Sequence, residues 1–326
     1  MIFYLLAVVL GFALLVWSAD RFVDGAASTA KHLGMPSLLI GILIVGFGTS
    51  APEMVVSAIA AYEGNAGLAL GNAIGSNIVN IALILGVTAI VSPIMVNSKI
   101  VKKEIPLLLL IVLLTGYLLL DNSLTLFEGV ILLVSFFALV LWSVYTALKS
   151  RGDSLESEMD IELKEHSMSL KLGVIWLIFG LILLIVSSRI LVWGAVGVAV
   201  EFGVSDLIIG LTIVALGTSL PELAASVIAA RKGEHDIAIG NVVGSNMFNL
   251  LAVIGIAVVI APMMNNIPLE VLQRDWIIML LLTIALFVMA YGFKGRDGRI
   301  NRVEGTILIL CYIAYNTYLG MSLVNS

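Results

Sequence analysis

Residues 46–87 of this chain recur, without a gap, 169 positions later. Of the 42 aligned positions 18 are identical, and the shared frame reads GTSxPE, then SxIAA, then GN, then GSN and a further Asn. The register also runs backwards, setting Gly25, Gly34 and Gly41 opposite Gly194, Gly203 and Gly210. A duplication of this length confines the chain to two copies of one structural unit, and it marks the polar positions that both copies keep.

The polar motifs sit in an apolar sequence. Only 12% of the 326 residues are charged and 60% are hydrophobic, where a soluble domain carries about 25% charge. Apolar segments near the ~20 residues that cross a hydrocarbon core follow one another at 2–30, 36–62, 67–92, 105–120, 125–148, 171–200, 206–230, 237–262, 275–293 and 303–323. The one substantial polar stretch, Arg151 to Ser167, divides them five and five. The chain thus reads as a first five-helix repeat (1–148), a linker loop (149–170) and a second repeat (171–326). With the N-terminus outside, 15 of the 17 Lys and Arg residues fall in inner loops, all but Arg189 and Arg274. Cytoplasmic loops carry such an excess, so both termini are expected outside and the linker inside. The first segment lacks a basic leader and is read as a retained span. Five spans separate the copies, so they insert with opposite orientation. Inverted repeats of this kind place a transport site near the midplane between them. The expected fold is an all-α polytopic membrane protein of ten transmembrane helices, two inverted five-helix repeats, with helices 2, 3, 7 and 8 broken around that site.

The motif chemistry gives the site its character. Glu53 and Glu222 fall midway along spans 2 and 7. A carboxylate in hydrocarbon costs at least ~2.5–3.5 kcal/mol and marks function by default. Pro52 and Pro221 lack an N–H and push against the carbonyls of Gly48 and Gly217, so each helix should break and free carbonyl oxygens. Such oxygens are tolerated at membrane depth only where they line a cavity or bind something. Thr49, Ser50, Thr218 and Ser219 add hydroxyls beside each break. One span later, Ser76, Asn77, Asn80, Ser245, Asn246 and Asn249 offer more oxygen, although Asn77 and Asn246 are equally suited to bonding the broken backbone. Gly71, Gly75, Gly240 and Gly244 are spaced for close helix approach. Every candidate ligand is oxygen, since His32, His166 and His235 lie in loops or at span ends and Cys311 is remote. Hard oxygen ligands in high number suit Ca²⁺, which takes 6–8 of them, and disfavour zinc or copper. Two carboxylates balance one divalent ion or nearly balance two or three monovalent ones. A site that holds either but not both has the basis of antiport.

GTSAPE…GNAIGSNIVN and GTSLPE…GNVVGSNMFN resemble the paired alpha-repeats of the sodium/calcium exchanger family, within the cation/Ca²⁺ exchanger superfamily. The resemblance spans the whole chain and is nearest to short prokaryotic members, the linker being too brief for regulatory domains. It implies a secondary antiporter, not an enzyme, in the plasma (inner) membrane of a prokaryote. It implies that Glu53 and Glu222 coordinate Ca²⁺ and share Na⁺, with the backbone carbonyls of Thr49 and Thr218. The carbonyls of Gly46 and Ala215 would flank them at Na⁺ positions. The hydroxyls of Ser50, Ser219, Ser76 and Ser245 match the family's Na⁺ ligands, and Asn80 matches its central amide. Asn249 departs from members that carry Asp there. Spans 1 and 6 are long and tilted in the family and slide across the rest. Here Gly11, Gly25, Gly194 and Gly197 suit close sliding contact. Expected partners are the transported Ca²⁺ and Na⁺ and the lipid bilayer, with no organic cofactor and no nucleic acid, and the chain is expected to act as a monomer.

Three rivals stand beside this reading. A H⁺/Ca²⁺ antiporter would use the same carboxylates, but protons need no hydroxyl cage. A cation channel needs a continuous pore, usually from oligomeric rings. A membrane enzyme would need a motif such as HExxH, which is absent. The acidic residues between Asp153 and Glu165 fit no EF-hand spacing and read as a solvated linker. Asp20, Asp24 and Asp121 read as solvent-facing span ends.

Overall fold

The computed structural model describes residues 1–34, 37–64, 66–96, 101–149, 168–201, 215–264, 267–291 and 298–324. The linker read as 149–170 lies largely outside them, as does the first part of the expected span 206–230. Helix occupies part of each of the ten apolar segments. Among the described residues six helices are long and apolar enough to cross a membrane, and a bent pair makes a seventh.

Two 32-residue helices, α1 (Ile2–Leu33) and α9 (Leu170–Glu201), cross the molecule antiparallel. Glycines let their backbones touch. A methyl added to Gly11 would meet the Leu191 backbone, and one on Gly25 the backbone of Gly173, Trp176 and Leu177. Gly194 and Gly180 answer from α9, against Tyr4 and Phe22. Where the two helices meet, Ser18 and Ser187 lie Oγ to Oγ at 3.4 Å. Each also donates 3.0 Å to the carbonyl three residues back on its own helix. These serines are repeat counterparts, 169 positions apart in the sequence. The close contact expected of the α1 and α9 glycines is present.

The second span is α2 (Ser37–Ile40), a π-helical turn (Gly41–Gly46) and α3 (Phe47–Thr49), continued after Ser50 by α4 (Ala51–Tyr62) at a 47° bend. Pro52 falls in the first turn of α4, where a missing N–H costs nothing. In the seventh, the described part has the same order: α10 (Ala215–Thr218), then Ser219, then α11 (Leu220–Arg231). Spans 3 and 8 are not broken, contrary to expectation. They run continuously as α5 (Ala66–Ile78) to α6 (Gly86–Val91), and α12 (His235–Phe248) to α13 (Ile254–Ile260). Neither contains a proline. Instead each widens into a π-helical stretch, Val79–Leu85 and Asn249–Val253, at its last motif asparagine. A π-turn shifts the hydrogen-bond ladder without severing the helix.

These two continuous spans form the centre, with 72% and 83% of their apolar stretch buried against 22–28% for the other four. Around them stand α7 (Val101–Leu118), α8 (Leu126–Lys149), α9, α14 (Ile277–Ala290) and α15 (Arg302–Val324). The outer surface is apolar: Phe3, Phe12, Phe127, Phe137, Trp142, Phe179 and Leu281 are all exposed. A soluble monomer does not expose apolar surface on this scale, so lipid is the solvent. The core is correspondingly rich in Ser, Thr, Asn and Glu. Main-chain pairing staples the halves at two places. Strand β1 (Ile94–Val96) runs antiparallel to β2 (Gly298–Ile300), and Leu124 bridges Met263. Gly64 and Gly233, counterparts at the turns after α4 and α11, both have φ +83°.

Gly240 and Gly244 provide the helix approach read from their spacing. Gly244 abuts the Ile42 backbone, and Gly41 that of Ile237 and Gly240. Gly71 and Gly75 meet nothing within 4 Å among the described residues, so the close approach expected of them is not seen. Asp20 and Asp24 are not simply solvated: both reach Lys232 Nζ, at 2.7 and 2.6 Å.

Candidate functional site

The helix interruptions at Ser50 and Ser219 place Glu53 and Glu222 in the first turns of α4 and α11. Helix N-termini favour negative charge, which partly offsets the loss of water. Both side chains are 1% exposed and close enough to feel each other's charge. Ser50 Oγ donates 3.3 Å to Glu222 Oε1 across the repeat boundary. Thr218 and Ser219 lie against Glu53 as Thr49 and Ser50 lie against Glu222.

Each Glu-bearing turn is braced by an asparagine one span on. Asn72 Nδ2 donates 2.9 Å to Ser57 Oγ and 3.5 Å to the Glu53 carbonyl. Asn241 Nδ2 donates 2.8 Å to Ser226 Oγ and 3.1 Å to the Glu222 carbonyl. Asn241 Oδ1 also accepts from Thr49 Oγ1 at 3.1 Å, joining one copy's bend to the other copy's brace. Sequence reasoning named no role for this pair. The signal was present in the GN that both copies share, but an amide in a helix reads alike for bracing and for packing.

The remaining candidates close the centre. Ser245 Oγ donates 3.3 Å to the Gly46 carbonyl. Asn80 Nδ2 donates 3.0 Å to Asn246 Oδ1, again between copies. Ser76 is buried on α5, one turn ahead of Asn80, and Ala215 opens α10. α4 packs on the π-turn that begins with Asn249, and α11 on the one that holds Asn80. Of the two roles open to Asn77 and Asn246, bonding to the broken backbone is not seen among the described residues: Asn77 Nδ2 donates 2.7 Å to Ala73 in its own helix, and Asn246 Oδ1 accepts from Asn80. The Gly217 carbonyl released by Pro221 takes the Ser188 hydroxyl of α9 at 2.8 Å.

Six buried oxygens here have no hydrogen-bond partner among the described residues: Glu53 Oε2, Asn77 Oδ1, Asn80 Oδ1, Ser219 Oγ, Glu222 Oε2 and Asn249 Oδ1. Buried acceptors are almost always paired, and two carboxylates this far from water need positive charge between them. The set is all oxygen and bears two formal charges, which is the chemistry of a hard-cation centre. A cavity of about 380 Å³ reaches it from one side. Pro52 and Val56 of α4 line that cavity opposite Ser188, Arg189, Val192 and Trp193 of α9, with Thr218 at its inner wall.

A chain with two like sequence halves, sharing a buried acidic oxygen cluster inside an apolar outer shell, defines a duplicated helical membrane protein. The chain belongs to the sodium/calcium exchanger family: the family model described as sodium/calcium exchanger protein matches residues 3–145 and 172–321. Similar proteins include CaxA of Alkalimonas amylolytica, whose name describes an antiporter, at 48% identity over 97% of this chain and 98% of that one. Inner membrane protein YrbG of Escherichia coli is 38% identical over 89% and 90%. Among solved structures, the sodium-calcium exchanger NCX_Mj soaked with Na⁺ and Ca²⁺ is 31% identical and superposes with a TM-score of 0.82 over 97% of this chain and 98% of that one. CaxA is named an antiporter and NCX_Mj an exchanger, neither an enzyme, and the chain is a transporter of their kind.

Proposed function

We propose that this protein exchanges Na⁺ for Ca²⁺ by alternating access. Glu53 and Glu222 bind Ca²⁺ between them, with the backbone carbonyls of Thr49 and Thr218. The same carboxylates, with Ser50, Ser219, Ser76, Ser245, Asn80, Asn249 and the carbonyls of Gly46 and Ala215, hold Na⁺ when Ca²⁺ is absent. The observation that carries this reading is the convergence of two buried carboxylates, one from each copy, with hydroxyl and amide oxygens that lack partners. One divalent ion neutralises that pair, and so do two monovalent ions. Occupancy by one cargo therefore excludes the other, and exclusion couples the fluxes. The hydroxyls beside each Glu favour Na⁺ over H⁺ as the counter-ion, because a proton needs a single oxygen. NCX_Mj is named a sodium-calcium exchanger, as is the Methanosarcina acetivorans protein MaX1, 29% identical over 95% of this chain.

The arrangement in the membrane belongs to the same proposal: ten spans in halves 1–148 and 171–326, a cytoplasmic linker at 149–170, and both termini outside in a prokaryotic inner membrane. One chain supplies both carboxylates, so a monomer is the transporting unit. The test is ⁴⁵Ca²⁺ uptake into proteoliposomes driven by an outward Na⁺ gradient, with a pH gradient as comparator. Uptake that follows the Na⁺ gradient supports the proposal. Uptake driven only by the pH gradient selects a proton antiporter, and uptake without any counter-ion selects a channel.

A further inference from the structure

The two faces of the molecule differ at positions that the repeat makes equivalent. On one face α1 packs along α11, and Ala19, Val23 and Ala225 are fully buried. On the other face the counterparts are Ser188, Val192 and Val56, and they line the cavity between α9 and α4. One copy of this helix contact is closed and the other is open. The closed face carries the ion pairs of Lys232 with Asp20 and Asp24, and Lys232 Nζ also donates 3.1 Å to the Asp20 carbonyl. Shifted by 169, Asp20 becomes Arg189 and Lys232 becomes Glu63. The pair is kept with its charges exchanged. Neither Arg189 nor Glu63 has an ion-pair partner among the described residues, and Arg189 stands in the cavity wall.

We propose that Asp20, Asp24 and Lys232 form an ionic latch that seals one face, and that Glu63 and Arg189 form the opposing latch, which seals the other face when the first opens. The inference rests on the alternating-access reading and adds its switch. An exposed ion pair alone contributes little. These pairs differ in being present in one conformation only, and a contact made in one state alone shifts the balance between states. The two latches are unequal. Lys232 meets two carboxylates, whereas the counterpart of Asp24 is the uncharged Trp193, packed edge-on against Tyr4. The conformation with the α4–α9 cavity open is therefore the resting one.

The test uses the full chain with Cys311→Ala and single reporter cysteines, Val192→Cys in the cavity or Ala19→Cys on the sealed face, reacted with a small maleimide. Adding Lys232→Ala should slow labelling at position 192 and quicken it at position 19, each roughly two- to fivefold as expected for loss of one exposed ion pair. Lys232→Arg should restore both rates. In a second arm, Glu63→Cys with Arg189→Cys should be joined by a short bifunctional thiol reagent, and faster when Lys232→Ala is present. Unchanged labelling rates, or a 63–189 pair that never joins even with Lys232→Ala, would overturn the proposal. Labelling and cross-linking need no ion flux, so they remain readable whichever counter-ion drives transport. Loss of Na⁺-driven Ca²⁺ uptake with the latch behaviour intact would sink the proposed function and leave the latches standing.

Discussion

At the residue scale, the centre depends on two carboxylates that differ from amides by charge alone. Glu53→Gln or Glu222→Gln keeps the shape and removes half of the formal charge. Each is expected to lower Ca²⁺ uptake roughly tenfold or more, since ligand charge sets Ca²⁺ affinity, while the protein still elutes as a monodisperse species. Near-normal flux in both variants would remove these residues from the mechanism. Asn241→Ala tests the brace. It strands the Glu222 carbonyl and Ser226 Oγ, and it leaves Thr49 without its acceptor on that side. The expected cost is about 1–3 kcal/mol, seen as a lower unfolding temperature in detergent, together with slower uptake. Asn249→Asp adds a third carboxyl to the cluster, and a shift in cation preference in competition uptake is the expected outcome. Unchanged dependence on both ions would make that position scaffolding. The glutamates were legible in the sequence because a charge in an apolar run is conspicuous and was duplicated. The bonding of Asn77, Asn80 and Asn246 was not, because an amide serves a neighbouring turn and a neighbouring helix equally well until rotamers are known.

At the element scale, proline and glycine spoke and π-turns did not. Pro52 and Pro221 announced the bends in spans 2 and 7. The widening at Val79–Leu85 and Asn249–Val253 has no residue that demands it, so those spans were read as broken when they run on. The glycines of α1 and α9 were legible, since a side chain at Gly25 would strike α9 backbone. Gly25→Leu is therefore expected to cost roughly 1–3 kcal/mol of stability through overpacking and to depress exchange. Gly320→Leu, which has open space around it, is the matched control and should change neither. Equal effects of the two substitutions on thermal stability and uptake would mean that the α1–α9 crossing tolerates bulk.

At the scale of the whole molecule, the duplication and the apolar segments were legible, and helix occupies part of each of the ten segments; the sidedness read from the basic-residue skew belongs to the proposal. That sidedness is testable with an impermeant maleimide on intact cells carrying Cys311→Ala. A cysteine at Glu63 should react, and one at Lys232 should react only after the membrane is opened. The Lys232 pairs themselves were out of reach of the sequence, because their members lie more than 200 residues apart and only the fold brings them together.

The bonds Thr49–Asn241, Ser50–Glu222, Asn80–Asn246 and Ser245–Gly46 all cross from one half to the other. Neither half satisfies all of its own polar groups. A single-repeat ancestor with this chemistry would have needed a second copy of itself threaded upside down in the same bilayer. Joined in one chain, each half meets its mate without a search and is free to differ from it, as the opposite charges at positions 20 and 189 do.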